Sequence, residues 1–128
     1  MLDHIGINVS NLERSRAFYT RVLAPLGYEM RKLHPGAVGF GSTTPVQGSD
    51  PGGDFWIREG MPHSQCVHVA FRAVSQAQVH AFYTAALAAG GIDNGPPGPR
   101  RHYHAHYYAA FVRDPDGYNI EALTHTPG

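Results

Sequence analysis

The sequence predicts an α+β fold made of two copies of one strand–helix–three-strand unit. Three observations carry this reading: an internal repeat at one fixed offset, alternating strand patterns followed by capped helical stretches in both copies, and abundant turn-forming residues. Sliding the 128-residue chain over itself by 64 positions brings His4 onto His68 and Ala17-Phe18-Tyr19-Thr20 onto Ala81-Phe82-Tyr83-Thr84. The same offset aligns Leu23-Ala24 with Leu87-Ala88, Gly27 with Gly91, Asp50-Pro51 with Asp114-Pro115, and Gly53 with Gly117. Such a period means one structural unit used twice. Module one covers about 1–64 and module two about 65–128 of a single domain. Gly (15) and Pro (10) are common enough to imply many turns, hence a strand-rich fold.

Each element follows from local pattern. Leu2 to Val9 alternates, with Ile5, Ile7 and Val9 on one face and His4, Gly6 and Asn8 on the other, as a half-buried strand does. Ser10-Asn11-Leu12-Glu13 reads as a capping box with Ser10 as the cap. The helix it opens runs to about Leu23 on a stripe of Leu12, Phe18, Val22 and Leu23, and Pro25 and Gly27 end it. Short strands are expected at Tyr28–Leu33, Ala37–Phe40 and Phe55–Arg58. In module two, Val67–Ala73 alternates in the same way, and Ser75-Gln76-Ala77-Gln78 caps a helix with stripe Val79, Phe82, Ala86 and Leu87. Gly90-Gly91 ends that helix. A short β-rich stretch near Ile92 precedes strands at Tyr107–Arg113 and Tyr118–Thr124, joined by the turn Asp114-Pro115-Asp116-Gly117. Thr44–Gly53 and Gly95–Pro99 are expected to be matched loops. One unit alone leaves a sheet face bare, so the two must pair.

Composition narrows the function. Ten basic residues balance ten acidic ones, which excludes the basic excess of a nucleic-acid-binding or membrane-surface protein. The single cysteine, Cys66, excludes an intrachain disulfide framework and a cysteine-based zinc site, and is read as structural. The start has neither a basic n-region nor an apolar core, so a soluble, cytoplasmic protein is expected.

Strand parity places the polar groups. In both modules the apolar face of the first strand must pack on the following helix, which turns His4 and His68 the other way. In the last strand Glu121 alternates with Ile120 and Ala122 and can face the same space. Two imidazoles and one carboxylate make a common ligand set for a divalent metal with open coordination positions. Against this, a lone strand histidine is usually a surface residue; its recurrence at the same place in both copies favours the metal reading.

The repeated unit resembles the paired βαβββ modules of the vicinal oxygen chelate superfamily. That group includes glyoxalase I, extradiol dioxygenases, fosfomycin- and bleomycin-resistance proteins and methylmalonyl-CoA epimerase. The matching pieces are Leu2-Asp3-His4-Ile5-Gly6, Arg16-Ala17-Phe18-Tyr19, Val67-His68-Val69-Ala70 and Asp114-Pro115-Asp116-Gly117-Tyr118-Asn119-Ile120-Glu121. The resemblance implies two modules forming an incomplete barrel around a central cavity, with His4, His68 and Glu121 as ligands of a divalent metal (Fe, Mn, Zn or Ni). It also implies Lewis-acid chemistry on a small oxygenated substrate and a homodimer. Glyoxalase I has a further acidic ligand in the first module's last strand. The 64-residue offset puts Ile57 there, and although a register slip would bring Asp54 or Glu59 close, the ungapped Asp50-Pro51 match argues against one, so glyoxalase I activity itself is not expected. The competing reading is a metal-free protein that sequesters a small molecule, as bleomycin-resistance members do.

Other residues complete the expected cavity. If Arg100–Tyr108 is extended, His102, His104 and His106 share a face and supply acid–base groups near neutral pH. His104 and Tyr108 are the candidate catalytic pair, and His102 a candidate substrate contact; a polar surface loop is the competing reading. Trp56 is a candidate for stacking a planar ligand, and Arg58 for pairing a substrate carboxylate.

Overall fold

A computed structural model describes residues 1–128. Module one comprises β1 (Ile5–Val9), α1 (Leu12–Leu23), a 3-10 turn (Ala24–Leu26), β2 (Tyr28–His34), β3 (Ala37–Ser42) and β4 (Phe55–Glu59). Module two comprises β5 (His68–Arg72), α2 (Gln76–Ala88), β6 (Ile92–Pro99), β7 (Tyr108–Arg113) and β8 (Asn119–Thr124). Each module forms one four-stranded sheet, in the orders β1-β4-β3-β2 and β5-β8-β7-β6. The first and last strands pair parallel and the rest antiparallel. Two open sheets and two helices make the α+β architecture that the repeat implies.

Alternation sorts the faces as expected. Ile7 and Val9 of β1, and Val69 and Phe71 of β5, are buried, whereas Gly6, His68, Ala70 and Arg72 are exposed. The helix-covered sides of both sheets join in one hydrophobic core. Phe71 of module two meets Phe55 and Tyr28 of module one edge-on, at centroid distances of 5.1 and 5.8 Å. Such ring pairs add about 0.5–1.5 kcal/mol each beyond the area they bury. Because the core takes the inner sides, the other face of each sheet is turned outward.

A polar junction fastens the modules as well. The Tyr19 hydroxyl donates to Asp114 Oδ2, whose other oxygen accepts the Asp116 and Tyr118 amides, both at 2.9 Å. Tyr118 donates to the Asn8 carbonyl at 2.6 Å, and the Ser10 hydroxyl donates to Asp116 at 2.5 Å. Burial, with the Asp114 carboxylate alongside, pushes the Tyr19 phenol well above its ordinary value. Burial also raises Asp114. The Asp-Pro-Asp-Gly turn thus does more than reverse the chain.

That junction explains one difference from the sequence reading. The cap of α1 is Asn11, whose Oδ1 accepts the Arg14 amide at 3.1 Å, rather than Ser10, which Asp116 engages. In α2, Ser75 caps as expected and accepts the Gln78 amide at 3.2 Å. A second difference is Gly95–Pro99, which belongs to β6 rather than to a loop. Pro lacks an amide donor, so this strand is tolerated at the sheet edge, and its register slips at Asp93/Gly95 and Gly95/Gly98. Thr44–Gly53 is almost wholly loop, as expected.

Candidate functional site

The outward face of module two carries an acid–imidazole–phenol group. The β5–β8 register sets Ala70 opposite Glu121 and His68 opposite Asn119, so His68 and Glu121 project from the same face. Glu121 is 1% exposed. A carboxylate buried to that degree is costly unless partnered, and both oxygens are. Oε1 lies 2.8 Å from His68 Nε2, and Oε2 accepts the Tyr107 hydroxyl at 2.5 Å. Desolvation first, then the bond to Glu121, raises the Tyr107 phenol well above its ordinary value, so it remains a donor.

Tyr107 escaped the sequence reading, which favoured Tyr108. Residues 101–107 are a chain of turns, with Tyr103 N donating to Arg100 O at 2.9 Å, so the parity of an extended segment does not apply. Parity counted back from Arg113 through Phe111 and Ala109 finds Tyr107, because Phe111 pairs with Glu121. Tyr108 falls on the helix side with Ala110 and Val112, and its hydroxyl meets His80 of α2 at 2.7 Å. His104 does not reach Glu121; its Nε2 lies 2.7 Å from His125 Nδ1, and its ring stands edge-on to Tyr107 at 5.3 Å. His102 lies against the Tyr103 ring at 4.2 Å, exposed.

The outward face of module one carries a cleft of about 600 Å³ whose lining includes His4, His34, Asp50, Trp56, Arg58 and Glu59. His4 Nδ1 is 2.6 Å from Asp3 Oδ1, and Asp3, His4 and Asp50 hold donor atoms within 4.8 Å of one another. They are the one group of three or more such residues that converges within the chain. Trp56 is fixed by donation from Nε1 to the Gly53 carbonyl at 3.2 Å, and it stacks with His34 at 5.8 Å and 18°. Within one chain, therefore, His68 and Glu121 meet while His4 stands on the other module's face.

Comparing the two registers corrects the expectation for Ile57. In module one Gly6 pairs with Trp56; in module two its equivalent Ala70 pairs with Glu121. The last strands are thus related by one residue more than the first strands. One residue separates Gly53 from the strand position facing Ile5, whereas two separate Gly117 from the position facing Val69, and the fully buried Tyr118 is one of those two. The counterpart of Glu121 is Trp56, and Ile57 is fully buried on the helix side. No carboxylate stands at the counterpart position.

The donor set fits a divalent ion. His68 Nε2 and Glu121 Oε1 bond each other directly at 2.8 Å, so an ion held by both would take the place of that contact. Imidazole with carboxylate suits Fe, Mn, Zn or Ni, and the Tyr107 bond orients the carboxylate in the way outer partners of ligands do.

The family model for the glyoxalase/bleomycin resistance protein/dioxygenase superfamily matches residues 1–122. The chain belongs to that superfamily. Among curated relatives, a metallothiol transferase, FosB, of Shouchella clausii (strain KSM-K16) is 30% identical over 127 residues, spanning 98% of this chain and 80% of that protein. Among solved structures, a glyoxalase/bleomycin resistance protein from Albidiferax ferrireducens T118 superposes with TM-score 0.80 at 31% identity, covering 95% of this chain and 97% of that one. A superfamily enzyme from Burkholderia phytofirmans PsJN superposes with TM-score 0.72 at 16% identity, covering 98% of each chain, and supports the fold alone. No helix is long and apolar enough to cross a membrane.

Proposed function

We propose that this superfamily member is a metal-dependent enzyme acting on a small oxygenated substrate, with thiol transfer as its reaction class. The observation that carries the reading is the buried Glu121 carboxylate paired with His68 Nε2 at 2.8 Å on an outward sheet face. The metal ligands would be His68 and Glu121 of one subunit and the partner subunit's His4. His4 standing apart from the pair, in the cleft of the other module, favours that arrangement. A homodimer with a twofold axis then holds two such sites.

A divalent ion held there supplies Lewis-acid stabilisation of charge developing on a substrate oxygen. Tyr107 fixes Glu121 Oε2, so the carboxylate keeps one orientation. Thiol transfer fits better than proton-shuttling isomerisation, because Trp56 offers no base where the counterpart of Glu121 lies. The 30% identity to a metallothiol transferase supports the same class. The competing reading, a metal-free binding protein, draws on the fact that His68 and Glu121 satisfy each other without an ion.

Complementation tests the proposal. Calorimetric titration with Mn²⁺ should show binding by the wild type and its loss in His4→Ala, His68→Ala and Glu121→Gln. Mixing refolded His4→Ala with Glu121→Gln should restore about one quarter of the wild-type sites, since half the dimers are mixed and each has one intact site. No Mn²⁺ binding by the wild type supports the metal-free reading. Binding without restoration on mixing means that the site closes within one chain.

A further inference from the structure

The cleft of module one holds chemistry that a metal site does not need. Its guanidinium, Arg58, belongs to none of the ion pairs in the molecule: His4–Asp3, Arg14–Asp116, Arg16–Glu13, Arg31–Glu29 and His68–Glu121. It lies over Gly6, where any side chain's Cβ would come within 3.2 Å of Arg58 Nη2. The same strand face carries Trp56, whose indole is pinned by its bond to Gly53 O. Gly39 and Gly52 leave the ring its room, since a Cβ at either would lie 2.7 or 2.6 Å from the Trp56 Cζ2 atom. His34 stacks with the indole, ring centroids 5.8 Å apart and planes at 18°.

We infer that this cleft recognises a planar, conjugated carboxylic acid, whose ring or π-system packs against the stacked Trp56 and His34 rings and whose carboxylate pairs with Arg58. The inference rests on the proposed active site, because His4 lines the same cleft. Planarity follows from the near-parallel aromatic pair: a flat ring packs against such rings with contact that a puckered one cannot make. A single negative charge follows from the lining, where Arg58 is the only Lys or Arg and Asp50 and Glu59 are acidic. Glu59 Oε1 is already committed to the Leu12 amide at 3.1 Å, but both carboxylates disfavour a dianion. A guanidinium and a carboxylate match as a two-pronged pair.

Trp56 is the single tryptophan of the chain, so its fluorescence reads occupancy directly. Wild-type protein is titrated with benzoate, with cyclohexanecarboxylate as the puckered acid and with benzamide as the uncharged planar analogue. Benzoate should quench saturably, and cyclohexanecarboxylate should bind roughly 2- to 10-fold more weakly. Benzamide, and benzoate with Arg58→Met, should each bind about tenfold or more weakly, with partial recovery in Arg58→Lys. Equal binding of the two acids, or benzoate affinity unchanged in Arg58→Met, overturns the inference, as does the absence of saturable quenching. Mn²⁺ titration of the same wild-type sample separates the two readings. Metal binding without a benzoate response sinks the inference alone, and an Arg58-dependent benzoate response without metal binding sinks the metal reading alone.

Discussion

Replacing Tyr107 with Phe removes one oxygen and keeps the ring. The ring's packing should persist, since Tyr103, His104 and His125 surround it at 4.8, 5.3 and 5.5 Å. What disappears is the donor to Glu121 Oε2, at 2.5 Å, on a carboxylate 1% exposed. A hydrogen bond to a charged group contributes about 1.5–3 kcal/mol. Tyr107 is itself partly open to solvent, so a water can replace some of that, and a loss of about 1–2 kcal/mol is expected. For a domain of this size the thermal midpoint should fall by roughly 3–8 °C. Metal affinity should fall by about tenfold or more, as it does when a ligand loses its orienting partner. Scanning calorimetry and Mn²⁺ titration read the two effects. Wild-type values of both would refute the view that Tyr107 holds the carboxylate.

Further predictions follow from the junction and the registers. Tyr19→Phe should lower the urea-unfolding free energy by about 1–3 kcal/mol, because it strips a buried donor from Asp114; no change would mean that the junction adds nothing. Burial raises Asp114, so its contribution is fully present below the unfolded carboxylate value and is lost as pH rises through the folded one. The stability advantage of the wild type over Asp114→Asn should therefore narrow as pH climbs from about 4 toward neutrality, and urea unfolding of both proteins across that range would show a widening gap if the sign were wrong. Ile57→Glu should fail to fold or lose several kcal/mol, because it forces a carboxylate into the core; a stable, soluble variant would contradict the assignment of Ile57 to the helix side.

The fold was legible because its signals are local and repeated. Alternation in β1 and β5, the Ser75 cap and the glycine stops need only neighbouring residues. The pairing of His68 with Glu121 was legible too, since strand parity fixes both residues to one face. The misreadings fall where something outside the local pattern decides the outcome: a distant partner, a run of turns or a place at the sheet edge. Ser10 is taken from its cap role by Asp116, more than a hundred residues away. Tyr107 reaches Glu121 because the turns after Arg100 break the parity that would have paired roles with Tyr108. Gly95–Pro99 looks like a loop by composition, but an edge position removes the objection to proline in a strand.

The one-residue difference between the two registers has the widest consequence. Starting from one repeated unit, it sets Glu121 opposite Ala70 in one module and Trp56 opposite Gly6 in the other. A carboxylate at that position needs partners, and His68 and Tyr107 provide them. An indole at the same position needs room and a fixed edge, and Gly39, Gly52 and the Gly53 carbonyl provide those. The surroundings of each therefore differ along with the residue itself, polar partners around the carboxylate in one module and glycines around the indole in the other. Transplanting a carboxylate onto Trp56 should then gain little metal affinity, since the cleft there has no tyrosine to orient it as Tyr107 orients Glu121, and Arg58 would compete for its charge. A Trp56→Glu variant that bound Mn²⁺ about tenfold more tightly than wild type would show instead that the two faces remain interchangeable.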